Sequence, residues 1–528
     1  MSAPVSERSR TQAAATGVAT DSTPPTPTGG GFLGHPRGLS TLFFTEMWER
    51  FSYYGLRPLL VLFMSAALAD GGFGFERAQA SSIVGIYAAC VYLASLPGGW
   101  VADRLLGLRK AILYGAGLIS LGHLSIGLSA FAAGKLPFFL GLILIVLGTG
   151  LLKPNISAIV GELYPEGGAR RDAGFSIFYM GINVGAFFGQ LITGILGESV
   201  GWHWGFGAAG VGMLAGLITF AVRARPTLGD IGTQPTRHPD PAVQARQERT
   251  VKVGIGAGLA VLAAVVVAAA TGAVTLDAQS IAGAMTGTIV ALAVVYFAYI
   301  FAAGGLNGDE KKRVAVIAVL FVFAAIFWAA FEQAPTSLNL FARDFTDRQL
   351  GGFEIPATWF QSVNSFFIIV LAPVFAALWV RMAKRNQELS SPGKFAWGLA
   401  LAAIGFALMI PAANAIVASG GSLKVSPWWL VASYFFQTAG ELCLSPVGLS
   451  SMTKLSPPRF VGQMMGIWFM ATSVGNLIAG LVGGEVDPEK LEQTPALFTA
   501  TTGALVASAV VLALLAIPIR RMMARTTT

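Results

Sequence analysis

The residues that could do chemistry begin with a run of charged and phenolic side chains inside an otherwise apolar segment. Residues 45–57 read TEMWERFSYYGLR. On a helix each residue advances by about 100°, so five of these side chains share one stripe: Glu46, Glu49, Arg50, Tyr53 and Arg57. Two carboxylates beside two guanidinium groups can exchange a proton or bind a charged solute. The plainer alternative is a solvated charged edge of an amphipathic helix.

Three further charges stand alone in apolar stretches. Lys153 lies in LGTGLLKPNIS, Glu332 in IFWAAFEQAP and Glu441 in FQTAGELCLSPVGLS. If these stretches cross a bilayer, each unpaired charge costs about 2.5–3.5 kcal/mol, or roughly 20 kcal/mol for all seven. That exceeds the net stability of a typical protein, about 5–15 kcal/mol. The charges must therefore pair with one another or line a watery cavity.

The seven charges nearly cancel, because four carboxylates face three cations. The carboxylate in excess could be neutralised by a proton or by a substrate ammonium group, as a proton-coupled carrier of such a solute requires. The plainer alternatives are snorkelling of Lys153 to the membrane surface and structural ion pairs for Glu332 and Glu441.

The composition is that of a membrane protein. Hydrophobic residues make up 54% of the chain and charged residues 12%, whereas soluble domains carry about 25% charged residues. The net charge of +8 comes from short loops between apolar runs, without a basic domain, so we expect no nucleic acid partner. Cys90 and Cys443 lie inside apolar runs, which argues against a disulfide framework. The first forty residues have no apolar core of the kind that a cleavable signal peptide needs.

Fourteen apolar runs have the length of a membrane span, about 20 residues. They lie near 41–66, 79–102, 108–130, 137–163, 172–197, 202–222, 251–272, 281–304, 313–334, 357–381, 395–416, 427–453, 460–484 and 497–519. Loops rich in Lys and Arg alternate with loops that are not, which predicts that both termini are cytoplasmic. The basic loops are 103–110, 169–172, 310–313, 381–385 and 519–525.

This order predicts an all-α polytopic membrane protein with the major facilitator fold, in which two six-helix bundles surround a central path. Two extra helices bring the total to fourteen. The predicted units follow the chain in order: a disordered cytoplasmic tail (1–40), an N-terminal bundle (41–222), a cytoplasmic linker (223–250), a two-helix insert (251–304), a C-terminal bundle (305–521) and a second cytoplasmic tail (522–528). The insert has almost no polar residues, so we expect it to face lipid.

Several motifs resemble those of the proton-dependent oligopeptide transporter family. Residues 46–54 match its ExxERFxYY signature, and RRDAGFSIFYMGINVGAFFG (170–189) is similar to its second signature. Residues 358–367, 440–450 and 462–476 also resemble family segments. The resemblance runs from about residue 38 to the last span. It implies a symporter that imports di- and tripeptides with protons across the cytoplasmic inner membrane by alternating access.

The resemblance also implies roles for individual residues. The proton-coupling residues are Glu46, Glu49, Arg50, Lys153 and Glu332. The residues that line the peptide pocket are Arg57, Tyr53, Tyr54, Tyr92, Lys153, Asn183, Trp328, Asn364, Glu441, Ser445 and Trp468. Arg57 with Glu332, and Lys153 with Glu441, form two gates. Glu441 accepts the peptide N-terminus, while Arg57 and Lys153 hold its C-terminal carboxylate. Plain helix packing remains an alternative for Tyr92 and Trp468, and a polar bridge between helices remains one for Asn183 and Asn364.

Some relatives carry an acidic residue directly before the equivalent of Glu332, where this chain has Phe331, so we expect Glu332 to act alone. His123 is interpreted as a packing residue.

A carrier of another solute, such as nitrate or a small amphipathic metabolite, is the nearest rival function. The spans contain no HExxH motif, Ser/His/Asp spacing or Cys/His cluster, so we expect neither an enzyme nor a metal site. Protons are the expected coupling ion, with no other cofactor and no required protein partner, and a receptor or scaffold is the remaining alternative.

Overall fold

The computed structural model describes residues 31–131, 135–237 and 239–524. Its architecture consists of long helices joined by short loops. The first six are α1 (Arg37–Ser65), α2 (Arg77–Val101), α3 (Leu108–Leu128), α4 (Leu136–Glu162), α5 (Gly168–Ile195) and α6 (Trp202–Leu228). Two more follow, α7 (Pro241–Ala270) and α8 (Ala278–Ala303). The last seven are α9 (Gly308–Phe331), α10 (Asn339–Phe345), α11 (Trp359–Lys384), α12 (Ser391–Ala418), α13 (Trp428–Leu455), α14 (Val461–Val482) and α15 (Gln493–Ala524).

Short segments complete the described part of the chain. Strands β1 (Gln349–Leu350) and β2 (Phe353–Glu354) form an antiparallel hairpin between α10 and α11. Single turns of π-helix lie at Ala102–Leu106, Leu196–Val200 and Ala334–Leu338, and single turns of 3-10 helix lie at Leu68–Asp70, Pro458–Phe460 and Gly483–Glu485. The first two π turns extend α2 and α5, and the third joins α9 to α10.

The fourteen predicted spans correspond to the fourteen long helices, all except α10, so the predicted all-α polytopic fold is confirmed. Twelve of these helices are long and apolar enough to cross a membrane. The other two, α1 and α13, carry Glu46, Glu49, Arg50, Arg57 and Glu441. These two helices bring five of the seven interior charges into the protein, and Lys153 and Glu332 lie in two of the more apolar spans.

Glycines allow corresponding helices of the two bundles to pack closely. On α3, a Cβ added to Gly115 or to Gly122 would lie 2.6 Å from the carbonyl oxygen of Gly148 or Gly141 on α4. In the second bundle, α12 and α13 meet in the same way, and a Cβ on Gly398 would lie 2.8 Å from the Gly440 oxygen. Small residues let helix backbones approach in a bilayer, where the hydrophobic effect does not drive helices together.

The insert stands outside the two bundles. Helix α8 packs against α2 and α14, while α7 contacts the π turn that follows α2. None of the apolar stretch of α7 is buried, and only 17% of that of α8 is. Exposed apolar helices of this length are stable only with lipid around them. The bundles themselves meet along α2 with α14 and along α5 with α11.

The element boundaries differ from the expected ones at three places. Helix α1 begins at Arg37, so residues 37–40 belong to this helix and not to the tail predicted over 1–40. Residues 1–30 of that tail lie outside the described part of the chain. Phe32 packs on Phe43, with 5.3 Å between the ring centroids, which holds the chain against α1. Helices α6 and α7 extend into the predicted linker 223–250. Helix α15 reaches Ala524, and residues 525–528 lie outside the described part.

Candidate functional site

A central cavity of about 270 Å³ lies between the two bundles. Its walls come from α1, α2, α4 and α5 on one side and from α9, α11, α13 and α14 on the other. Every predicted pocket-lining residue except Tyr53 contributes to this wall: Arg57, Tyr54, Tyr92, Lys153, Asn183, Trp328, Asn364, Glu441, Ser445 and Trp468. Of the predicted proton-coupling residues, Glu46, Arg50, Lys153 and Glu332 line it as well. The structure thus brings together residues that are up to 422 positions apart, from Glu46 to Trp468.

Two carboxylates of the charged stripe on α1 pair with Arg50. Arg50 Nε lies 3.1 Å from Glu46 Oε1, and the same nitrogen pairs with the Glu49 carboxylate. All three side chains are buried, and Glu49 lies behind the cavity wall. One guanidinium group therefore shares its charge between two carboxylates. These three side chains together therefore carry a net negative charge.

The predicted pair of Arg57 with Glu332 is present. Arg57 Nη2 lies 2.5 Å from Glu332 Oε2 and donates a second hydrogen bond to Asn476 Oδ1 at 2.7 Å. Arg57 belongs to the first bundle, whereas Glu332 and Asn476 belong to the second, so this contact joins the two bundles. Arg57 and Glu332 are only 6% and 5% exposed, and breaking a buried pair of this kind leaves an uncompensated charge.

The second predicted gate, between Lys153 and Glu441, is absent from this conformation. The two groups line opposite walls of the cavity and lie more than 4 Å apart. Lys153 Nζ instead lies 4.1 Å from the centroid of the Tyr92 ring, a cation–π contact. Glu441 Oε2 accepts a hydrogen bond from Asn364 Nδ2 at 3.3 Å. Because the two residues belong to different bundles, they can meet only if the bundles approach at this level.

Tyr53 is the one predicted pocket residue that does not line the cavity in this conformation. Its ring is 3% exposed and stacks on Tyr87 at 6.2 Å between centroids, and neither ring lines the cavity. The guanidinium groups of Arg50 and Arg57 lie 5.4 and 6.0 Å from the same ring. A single stripe on a helix includes both the residues that face the cavity and those at its margin, and Tyr53 lies at the margin. Tyr53 therefore supports the two arginines from behind the wall.

The prediction missed several polar residues that line the cavity. They are Tyr179 and Gln190 on α5, Gln361 on α11, and Tyr434 and Gln437 on α13. Helical spacing could have identified those on α5 and α13, because residues three or four apart share a face of a helix. The spacing holds for positions 179, 183, 186 and 190 on α5 and for 434, 437, 441 and 445 on α13. Gln190 Oε1, Gln361 Nε2 and Gln437 Oε1 are buried without a hydrogen-bond partner in the described part of the chain. The wall therefore offers both donors and acceptors to a polar ligand.

His123 lies away from the cavity wall. It is buried, and its Nε2 lies 2.5 Å from Ser52 Oγ. Within the described residues, no group of three His, Cys, Asp or Glu side chains is placed to hold a metal ion. The ionisable groups available to the cavity are therefore the carboxylates and cations of α1, α4, α9 and α13.

One end of the cavity is sealed by polar contacts between the bundles. We call this the closed end; it is the end at which α1 finishes and α2 begins. Arg77 Nη1 lies 2.5 Å from Asp344 Oδ2 and 3.0 Å from the Val486 carbonyl oxygen. The Glu198 carboxylate accepts hydrogen bonds from Ala357 N at 2.8 Å and from Thr358 N at 3.0 Å. Glu198 thereby ties the chain just before α11 to the opposite bundle.

The other end of the cavity is less enclosed, and we call it the open end. Tyr179 is 44% exposed there, and Lys153, Glu441 and Ser445 are half-buried. The contrast with the closed end means that a solute can approach the wall from one side only.

Known proteins are similar to this chain in sequence and in fold. The sequence profile of the POT family matches residues 109–493. The chain is 50% identical over 501 residues to a peptide transporter of Yersinia enterocolitica subsp. palearctica, covering 95% of this chain and 98% of that protein. It is 38% identical over 479 residues to a di-/tripeptide transporter of Lactococcus lactis subsp. lactis, covering 89% and 93% of the two chains.

Solved structures give the same picture. A peptide transporter POT in complex with sulfate superposes with a TM-score of 0.84 at 39% identity, covering 94% of this chain and 97% of that one. A POT family transporter in complex with 5-aminolevulinic acid has a TM-score of 0.83 at 34% identity, covering 93% and 98%. The likeness extends over both bundles and the insert.

Proposed function

Because this chain belongs to the POT family, we propose that it imports di- and tripeptides together with protons across the cytoplasmic membrane. One observation carries the proposal. Of the charges that line the cavity, Lys153 and Glu441 are the two without an ion pair within 4 Å in the described part of the chain, and they stand on opposite walls. A short peptide is a zwitterion whose two ends carry the complementary charges.

The proposed binding mode follows from this arrangement. The peptide ammonium group lies against Glu441, whose carboxylate Asn364 Nδ2 orients at 3.3 Å. The peptide carboxylate lies against Lys153, and Arg57 joins it when released from Glu332. Charge-assisted hydrogen bonds of this kind are about twice as strong as neutral ones. The rings of Tyr54, Tyr92, Trp328 and Trp468, also on the wall, leave room for side chains of varied shape.

Proton coupling is assigned to the cluster around Arg50. A proton on Glu46 or Glu49 cancels one of the two negative charges that Arg50 balances. The carboxylates then hold the Arg50 guanidinium group less strongly. The electrostatic potential at Lys153, which lines the same cavity, changes as a result. The peptide carboxylate competes better for Lys153 in that state. Glu332 completes the coupling, because its carboxylate keeps Arg57 until a peptide arrives.

Transport proceeds by rocking of one bundle against the other around the cavity. The alternating basic loops orient the closed end outward and both termini toward the cytoplasm. The structure then corresponds to an inward-facing state. Opening outward requires the loss of Arg57–Glu332 and of the contacts made by Arg77 and Glu198, while the open end closes.

The test uses purified protein in liposomes. An inward proton gradient should drive accumulation of a labelled dipeptide, and unlabelled dipeptides, but not nitrate, should compete. Glu49→Gln should abolish gradient-driven accumulation while leaving exchange of peptide at equal pH largely intact. Glu166→Gln is the matched control, since Glu166 is a half-exposed carboxylate paired with Arg170 at 3.9 Å. Equal loss of accumulation and exchange in Glu49→Gln would refute the coupling role, and competition by nitrate would refute the peptide substrate.

A further inference from the structure

A second cleft lies at the ends of α3 and α6, away from the central cavity. It has a volume of about 370 Å³. Its basic lining residues are Arg109 and Lys110, in the first turn of α3, and Arg225, near the end of α6. Its apolar lining residues are Leu113, Phe220, Ala221 and Ala224. None of these residues lines the central cavity.

The three cations of the cleft are not neutralised by the protein. Within the described residues, none of them lies within 4 Å of a carboxylate oxygen. Arg109 Nη1 donates to the Gly229 carbonyl oxygen at 2.6 Å, which aims its guanidinium group along the rim. Asp230 also lines the cleft, so three positive charges face one negative charge. The cleft therefore carries a local excess of two positive charges.

The rim of the cleft is held by backbone hydrogen bonds between two loops. The loop after α6 lies against the turn before α3, where Arg109 N donates to the Gly232 oxygen at 2.9 Å and Thr236 N donates to the Asp103 oxygen at 2.8 Å. Gly107 permits this turn, because its φ of 79° is unfavourable for other residues. The backbone that carries Arg109 is thus fixed by the fold, and the exposed side chains of Lys110 and Arg225 line the same cleft.

The position of the cleft matches the boundary between headgroups and acyl chains. Both α3 and α6 are long and apolar enough to span the membrane, and the cleft lies where α3 begins and α6 ends. Its polar half faces the end of the spans, and its apolar half begins one turn farther into the bilayer, at Leu113 and Ala221. A free phosphate ion would leave the apolar half unused, whereas a phospholipid fills both halves.

We propose that this cleft binds an anionic phospholipid, with the headgroup phosphate on Arg109, Lys110 and Arg225 and one acyl chain along Leu113, Phe220 and Ala221. Basic pockets between membrane helices recognise anionic headgroups in this way. Arginine supplies a planar fork that fits phosphate oxygens. The site does not depend on the transported solute, so its failure and that of the proposed transport function are separate outcomes.

The test is native mass spectrometry of the detergent-purified chain, titrated with dioleoylphosphatidylglycerol. The combined variant Arg109→Gln, Lys110→Gln and Arg225→Gln should raise the Kd at least tenfold, since each basic residue contributes about a fivefold effect near a headgroup. The matched control is Arg381→Gln, Lys384→Gln and Arg385→Gln. It removes the same charge from the end of α11, outside the cleft, and should change the Kd less than about twofold.

A second variant tests the apolar half without changing any charge. Ala221→Trp fills the apolar half of the cleft, so it should raise the Kd for phosphatidylglycerol at least fivefold. The Kd for glycerol 1-phosphate should be unchanged. Dioleoylphosphatidylcholine should bind the original chain more weakly than phosphatidylglycerol. The proposal is overturned if the two triple variants lose affinity equally, or if the cleft variant loses none. It is also overturned if glycerol 1-phosphate binds as tightly as the lipid, which would indicate a free-phosphate site. Lys110→Gln alone, at an exposed position, carries the charge test if the triple variant does not purify.

Discussion

The two ends of the central cavity use the same kinds of charge in opposite ways. Toward the closed end, Arg57 and Glu332 meet across the bundles at 2.5 Å and neutralise each other. Toward the open end, Lys153 and Glu441 also stand on opposite bundles but remain apart. One pair serves as a contact between bundles, and the other leaves two complementary charges available to a ligand. A cation and a carboxylate on facing walls therefore do not reveal their role until their separation is known.

Burial explains why both arrangements are stable. Arg57 and Glu332 are almost fully buried, and an unpaired charge in that place would lack both water and a partner. Lys153 and Glu441 are half-buried, so water can solvate them, and Tyr92 and Asn364 provide partial compensation. Because Tyr92 and Asn364 compensate these two charges only in part, a peptide gains free energy at the open end by pairing with them.

The largest effect is expected from breaking the pair at the closed end. Glu332→Gln leaves the Arg57 charge buried and uncompensated, so the free energy of unfolding should fall by about 3 kcal/mol. The thermal unfolding midpoint in detergent measures this. The control is the double variant Arg57→Met with Glu332→Met, which removes both charges and should recover most of the loss. An unchanged midpoint for Glu332→Gln would show that the pair contributes nothing to the closed end.

The next effect concerns the unpaired charge at the open end. Glu441→Gln should weaken binding of a zwitterionic dipeptide by about 2 kcal/mol, or roughly thirtyfold in Kd, because the peptide ammonium group loses its counter-charge. An N-acetylated dipeptide has no such ammonium group, and its Kd should be the same for both proteins. Isothermal titration gives the two ratios. Equal weakening of both ligands would contradict the assigned orientation.

A smaller effect is expected where Glu198 joins the two bundles. Glu198→Ala removes the acceptor of two backbone N–H groups just before α11, which should destabilise the closed end by about 1 kcal/mol. In a chain with Cys90 and Cys443 replaced by alanine, a single cysteine at Ser365 should then react several times faster with a thiol reagent added at that end. Glu489→Ala is the control, since Glu489 is an exposed carboxylate in the loop after α14 and should change the rate little.

The smallest effect separates two adjacent tyrosines. The Tyr53 hydroxyl is buried without a hydrogen-bond partner among the described residues, so Tyr53→Phe should change dipeptide uptake less than about twofold. Tyr54 lines the cavity, and Tyr54→Phe should have the greater effect. Initial uptake rates in liposomes decide the order. A larger loss for Tyr53 would place its hydroxyl in the pocket in another conformation of the cycle.

Periodicity and charge in the sequence were sufficient for the helices and for the charged residues of the cavity wall. A span is a local property, because twenty apolar residues satisfy their own backbone hydrogen bonds in a helix. The cost of a buried charge is also local, which is why Lys153, Glu332 and Glu441 stood out as residues of a watery cavity. The same reasoning predicted the stripe on α1, and the family motifs added the aromatic residues and Asn364.

Only the tertiary structure decided which of these residues meet. An uncharged side chain in a span costs less free energy than a charged one, so the sequence does not single out Gln190, Gln361 and Gln437. Only the packing of α5, α11 and α13 shows that they face the cavity. The separation of Lys153 from Glu441 depends on how the two bundles are inclined, which is a property of contacts hundreds of residues apart. Helical periodicity specifies the face on which a side chain lies, but the partner across that face is determined by the arrangement of the whole molecule.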